Sequence, residues 1–296
     1  MKLVLNFKDE KEKIEFVKRS ERRFVCDLER AVDKAISENS RIITVTGPSC
    51  SGKTTASNRL ISEFTRNNKS VRVVSVDDFF KNRNIDIKDG DKLDLDSIKS
   101  LDLDRFKEFI NDLASDKTTI SQPLFDMKTA SRTGEITYSP GDYDCFLFEG
   151  IQIVYPEIYS ELMRFPCSHI YLSVTEDVDL NGATFKNHEV RFLRRLVRDC
   201  KFRGTDPDFV FSYWDTVRNN EIKNIEPFVG KIGIKVNTLL EYELCVIKPY
   251  VLELLEMATL DEFKHYCGVL KEKFEKIPEI SSDYVPRESV FREFIG

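Results

Sequence analysis

The sequence predicts an α/β protein, a parallel sheet flanked by helices. Continuous apolar, β-branched runs such as "RIITVTG" and "SVRVVSV" read as strands buried on both faces. Helical patterns separate them, as right-handed βαβ units require. One Gly-rich turn joins the first of these strands to a helix.

Taken in order, residues 1–21 read as a short strand-like run and a charged helical stretch, an N-terminal extension to a domain spanning 22–296. Phe24, Leu28, Val32 and Ile36 then recur at helical spacing, which predicts an amphipathic helix ending near Asn39. "RIITVTG" is the first buried strand, and a helix follows from Lys53 to around Asn67. "SVRVVSV", "YDCFLFEG" and "SHIYLSV" are three more strands. Between Asn82 and Asp142 the alternation breaks. An acidic, turn-rich stretch leads to a helix near Asp102–Leu113, and "PLFDMKTASRTGEITYS" reads as a small β-excursion. This part of the chain is expected to reach over a substrate. "EVRFLRRLVRDCKFRG" is a basic helix, expected to serve as a lid over residues 188–206. Residues 241–296 form a helical C-terminal part whose Pro-containing tail ends in "VFREFIG".

Composition narrows the function classes. A chain of 296 residues can bury a full core. Its net charge of −6 argues against a broad basic surface for nucleic acid. The seven cysteines are scattered without a CxxC pair, which suggests neither a zinc site nor a disulfide framework. Free thiols suit a reducing interior. No apolar run approaches the roughly 20 residues of a membrane span. "MKLVLNFKDEKEK" is too short in apolar residues for a signal peptide. A cytoplasmic protein without membrane or nucleic-acid partners is expected.

"GPSCSGKTT", Gly47 to Thr55, matches the phosphate-binding loop G-x-x-x-x-G-K-[ST] between a strand and a helix, and so predicts the P-loop NTPase fold. Gly47 and Gly52 let the backbone curl, so that loop amides around Ser49 and Ser51 point inward. The helix N-terminus at Thr54 and Thr55 adds positive potential. Lys53 is placed to reach the β- and γ-phosphates of ATP, and Thr54 to ligate Mg²⁺. The motif implies a nucleoside triphosphate but not whether water or another acceptor receives the phosphoryl group.

Two strand ends carry acids, Asp77 in "VSVDDFF" and Glu149 in "FLFEG". Ligands of doubly wound sheets bind outside the carboxyl ends of the strands, near the P-loop. One acid can orient a hydroxyl and take its proton while another holds Mg²⁺. Neighbouring side chains on a strand point to opposite faces, so Asp78 competes with Asp77, and the pattern alone does not separate them. In the basic helix, Arg191, Arg195 and Arg198 share one face, and Arg203 precedes the helix stop Gly204. His169, His188 and His265 share no metal-ligand spacing, and Tyr213 and Trp214 read as core.

"GPSCSGKTT", "VSVDDFF", "LFEGI" and "RRLVRDCKFRG", in this order, resemble the uridine kinase (uridine–cytidine kinase) and phosphoribulokinase group of P-loop kinases. "SYWDTVRNNEIKNIEPF", "EYELCVIKPY" and "VFREFIG" resemble a bacterial-type nucleoside kinase branch, whose members often carry a TGS module upstream. Residues 1–21 would be at most a remnant of that module. The resemblance implies transfer of the γ-phosphoryl group of ATP to a small hydroxyl acceptor, the 5′-OH of uridine or a related nucleoside. It matches Asp77 to the catalytic acid, Glu149 to the acid that holds Mg²⁺ and Asp94 to a ribose contact, with Asp126 as the alternative. Arg195, Arg198 and Arg203 match arginines that contact phosphates or the nucleoside. Phe125 and Ala130 stand where the family has a Tyr and a His that recognise the pyrimidine, and Thr205 replaces a further arginine. The phosphoryl-transfer set is therefore expected intact, while another acceptor, such as a sugar phosphate, a polyol or another nucleoside, stays open. So does a nucleotide-dependent binding or regulatory module. The resemblance also suggests a homo-oligomer.

Overall fold

The computed structural model describes residues 1–82, 98–127 and 129–296. The chain opens with β1 (Lys2–Leu3), α1 (Glu10–Ser37), β2 (Ile42–Thr46), α2 (Lys53–Arg66) and β3 (Val71–Ser75). Then come α3 (Leu103–Leu113), the hairpin β4 (Ile120–Asp126) and β5 (Ser131–Tyr138), β6 (Cys145–Glu149), α4 (Pro156–Leu162) and β7 (Cys167–Ser173). Next are β8 (Val178–Leu180), β9 (Ala183–Phe185), α5 (Asn187–Arg203), α6 (Pro207–Asn224), α7 (Glu226–Val229) and β10 (Ile234–Asn237). The chain closes with α8 (Glu243–Met257), α9 (Asp261–Glu275) and α10 (Arg292–Ile295).

Five strands form one parallel sheet in the order β10-β7-β2-β6-β3. The strand entering the Gly-rich loop is central, so loop and acids share one edge. Alternation sends side chains into two clusters, one on each face. Cys145 and Leu147 of β6 join the cluster with α1, α2, α5 and α8. Phe146 and Phe148 join the cluster with α3 and α4. The continuous apolar runs are thus explained by burial on both sides. Among the described helices none is long and apolar enough to cross a membrane.

The four strands expected from the sequence are present. The fifth, "IKVN" of β10, is short and follows a glycine, which masked its pattern. The division expected at residue 21 falls inside one continuous helix, α1, capped by the Asp9 carboxylate. Phe16 and Val17, ahead of that division, share the core cluster of Phe24 and Leu28. β1 pairs with β8 beside β9 in a small separate sheet.

The basic helix α5 is a core element along most of its length. Val190, Phe192, Leu193, Leu196 and Val197 are buried. So is Arg194, which meets Glu243 of α8 at 2.6 Å with both side chains 1% exposed. Gly204 ends the helix in the left-handed conformation, φ +68. A buried charge stripped of its partner is costly, about 3–5 kcal/mol. Urea unfolding of Glu243→Ala should show a loss of that size. Arg194→Ala/Glu243→Ala should lose less than the sum of the single changes, whereas strict additivity would mean the pair does not couple.

Candidate active site

The loop between β2 and α2 is held from behind by two arginines of α5. Arg191 donates to the Ser49 carbonyl at 3.0 Å and to both oxygens of Glu221 at 2.7 and 2.8 Å. Arg194 donates to the Cys50 carbonyl at 3.2 Å while paired with Glu243. The Ser49 amide donates to Glu221 at 3.2 Å, so it is turned away from the cleft. Cys50 takes a positive φ of +58, a conformation costly outside glycine and held here by its neighbours. Gly47 has no room for a side chain, since a Cβ would lie 2.0 Å from the Leu172 carbonyl oxygen. Gly52 sits at φ +83, and its Cβ would lie 2.6 Å from Val290.

In front of the loop lies a cleft of about 470 Å³. Ser49, Ser51, Gly52, Lys53 and Thr54 line one wall. Ser51 Oγ is buried and has no partner among the described residues, as suits a group that meets an anion. Lys53 Nζ lies across the loop, donating to the carbonyls of Gly47 at 2.9 Å and Pro48 at 3.0 Å. Desolvation pulls its ammonium below the usual lysine range, while Glu149 and Glu293 pull it back.

The opposite wall carries the acids. Asp77 is in a 3-10 turn, Val76–Phe79, rather than on the strand itself. That turn decides between the two aspartates. Asp78 faces the hairpin, accepting from the Phe125 amide at 3.2 Å and Gln122 Nε2 at 3.1 Å. Asp77 lines the cleft with Glu149 and is bonded by the Gln152 side chain. Burial first, and the nearby Glu149 carboxylate second, push Asp77 up to about 7, against the attraction of Lys53. Glu149 accepts from Ser75 Oγ at 2.7 Å, which fixes its carboxylate at the end of β6.

Arg195, Arg198 and Arg203 also reach the cleft, gathered by one buried carboxylate. Asp199 lies 3.3 Å from Arg195, 2.9 Å from Arg198 and 3.3 Å from Arg203. Arg195 further donates to Ser49 Oγ at 3.1 Å. Glu293 of α10 lines the cleft, accepting from Thr55 Oγ1 at 3.2 Å with Arg198 3.9 Å away.

Several anticipated residues stand elsewhere. Gly47 shapes the loop from behind, and Thr55 faces Glu293. Phe125 packs on Phe80 with ring centres 5.6 Å apart, and it is Phe80 that lines the cleft. Asp126 accepts from Thr129 Oγ1 at 3.1 Å, while its neighbour Met127 reaches the cleft. Asp94 lies outside the described residues. Sequence reasoning passed over Asp199, Gln152, Glu221 and Glu293. Only Asp199 had a local signal, its i,i+4 spacing from Arg195 and to Arg203.

Whether the site suits Mg²⁺ and ATP is a matter of its donors. Among the described residues no three of His, Cys, Asp and Glu gather as a cation site. Thr54 and Glu149 offer hard oxygens on one cleft, and Mg²⁺ keeps waters and phosphate oxygens as its other ligands. The donor set therefore fits.

These features define a P-loop protein of the α/β class, with cations and acids lining one cleft. The chain belongs to the phosphoribulokinase / uridine kinase family, whose model matches residues 42–243. It is 29% identical over 187 residues to the uridine kinase of Latilactobacillus sakei, covering 63% of this chain and 80% of that one. It is 29% identical over 188 residues to the uridine kinase of Halalkalibacterium halodurans, covering 63% and 80%. Among solved structures, a proposed fructose transport system kinase from Silicibacter sp. TM1040 shares the fold at TM-score 0.51 and 16% identity, over 66% of this chain and 94% of that one.

The raised pKa of Asp77 has a consequence for stability. Unfolded, the group ionises near its ordinary value, about 3.9. Between that value and about 7 the folded chain therefore holds a proton that the unfolded chain has lost, and stability falls as pH rises through this window. Asp77→Asn removes the cost. Without nucleotide it should stabilise the chain at pH 8 by at most about 4 kcal/mol and have little effect at pH 4. Urea unfolding at the two pH values checks this, and an equal effect at both would contradict it.

Proposed function

We propose that this protein is an ATP-dependent phosphotransferase that moves the γ-phosphoryl group to a small hydroxyl acceptor, the 5′-OH of uridine or a related nucleoside. The observation that carries the reading is that Asp77, Lys53 and Glu149 line one cleft while Asp78 is tied to the hairpin. A phosphate-binding loop needs only Lys53, Thr54 and its amides to hold a triphosphate. An acid that stays protonated to about pH 7 beside the Lys53 ammonium suits an incoming hydroxyl better than a structural role.

In this reading Lys53 and the inward loop amides bind the β- and γ-phosphates. Thr54 and Glu149 would hold Mg²⁺, and Asp77 lines the same cleft. When bound, Mg²⁺ neutralises phosphate charge. Asp77 accepts the hydroxyl proton and aligns the oxygen for in-line attack. Arg195, Arg198 and Arg203 balance the charge that spreads over the transferred group. Their shared tie to Asp199 positions them in advance, so little reorganisation is needed. The kinase unit in this reading includes the whole of α1, and of residues 188–206 it is Arg195, Arg198 and Arg203 that reach the phosphates.

One observation favours a second reading, the same chemistry on a different acceptor. Ala130 sits at φ +49 in the hairpin turn, where the family's base-recognising histidine is expected, and a methyl group offers a base no hydrogen bond. The uridine kinase relatives support uridine, and Ala130 supports a wider acceptor range.

Coupled ADP release with Mg·ATP against nucleosides, polyols and sugar phosphates tests both. Release that depends on a nucleoside is the expected result. Dependence on a polyol or sugar phosphate alone would favour the second reading. Equal release with and without every acceptor would overturn the phosphotransferase assignment and leave a nucleotide-dependent regulatory module.

A further inference from the structure

A second cavity, about 370 Å³, lies between α1 and the C-terminal segment. We propose that this cavity binds the base and ribose of the nucleoside triphosphate whose phosphates occupy the P-loop. The inference rests on the reading of the cleft as a triphosphate site. It adds a subsite whose main walls, α1 and residues 286–290, lie outside the matched family region of 42–243.

Direction is the first argument. In-line transfer places the acceptor oxygen and the rest of the donor on opposite sides of the transferred group. Asp77 marks the acceptor side. The donor's α-phosphate and nucleoside must then leave over the other side of the P-loop, along the start of α2. Thr55 and Arg59 of α2 line the cavity on that side. Thr55, two residues into the helix after Lys53, lines it rather than the phosphate cleft.

Continuity is the second. Val290 lines the cavity, and its methyl carbon occupies the space where a Cβ on Gly52 would stand. Glu293, three residues on, lines the cleft and accepts from Thr55 Oγ1. The two cavities thus adjoin at Gly52–Thr55, with the Thr55 hydroxyl and the Glu293 carboxylate at their junction. A carboxylate at that place can accept from ribose hydroxyls.

Chemistry is the third. Phe24, Val25, Pro286 and Val290 give the cavity apolar walls. Arg59, Glu29, Glu288 and Ser289 add donors and acceptors around them. Apolar walls with a few polar groups, and a volume within roughly 300–1,000 Å³, are what a ring system with edge nitrogens needs. The C-terminal segment is held in place from beneath. Phe291 and Phe294 are buried, and Tyr242 bonds Ser289 Oγ at 3.1 Å, so the wall is preformed.

Cys26 lines the cavity and is an exposed thiol, which supplies a probe. Titration calorimetry on the full chain should compare Mg·ATP with Mg·tripolyphosphate, which has the phosphates but no nucleoside. Cys26→Trp, which fills the cavity from an exposed position, should weaken Mg·ATP by about tenfold or more and leave tripolyphosphate within about twofold. On the unmodified chain, Mg·ATP should slow alkylation of Cys26, located by mass spectrometry, while tripolyphosphate should not. If Cys26→Trp binds Mg·ATP normally and alkylation is not slowed, the base lies elsewhere and the inference fails. Lys53→Ala separates that failure from a deeper one. Loss of both ligands in Lys53→Ala upholds the P-loop reading, whereas retention of both would overturn that reading itself.

Discussion

The site depends on how the outer side of the P-loop is held. Arg191 and Arg194 grip the carbonyls of Ser49 and Cys50 from behind. Each guanidinium is buried, and a buried cation persists only when paired. Glu221 and Glu243 provide the pairs, and Glu221 takes the Ser49 amide as well. Through these bonds the loop is tied to α5, α6 and α8 at once. The cost of holding Cys50 in a left-handed conformation is offset by this framework, and Gly47 lies too close to β7 to carry a side chain. A cradle built in this way meets phosphates without first having to be organised.

Charge is then distributed across the cleft in two groups. Lys53 and three arginines face two acids, and a third acid, Glu293, enters from the C-terminal helix. The arginines would repel one another if Asp199 did not stand among them. Burial first, and repulsion from the Glu149 carboxylate second, make Asp77 keep its proton to about pH 7. A carboxyl group poised there can change protonation state during a proton transfer near neutral pH. The same arrangement destabilises the fold at neutral pH, a usual trade at sites that must bind charge.

Much of this was legible in the chain. The strand, Gly-rich loop and helix were readable because the fixed glycines and lysine have no interchangeable substitutes. Asp77 and Glu149 were readable because acids close two apolar strands at the sheet edge where ligands bind. The choice between Asp77 and Asp78 was not, since strand alternation does not govern a 3-10 turn. Nor were the roles of Arg191 and Arg194. In sequence they belong to a basic stripe with Arg195 and Arg198, and only the distant Glu221 and Glu243 divide the stripe into buried anchors and cleft-facing groups. Glu293 and the cavity beside α1 depend on contacts between the two ends of the chain, which no local pattern records. Asp94, the residue matched to the acceptor's sugar, lies outside the described residues.

The central claim is that the two adjacent aspartates do different work, Asp77 on the reacting hydroxyl and Asp78 on the hairpin. Steady-state turnover of Asp77→Asn and Asp78→Asn, with Mg·ATP affinity measured alongside, tests it most directly. Asp77→Asn should lower kcat by about 10²–10⁴ with Mg·ATP binding retained, and Asp78→Asn should keep most of its turnover. Loss of turnover in Asp78→Asn together with its retention in Asp77→Asn would contradict the assignment.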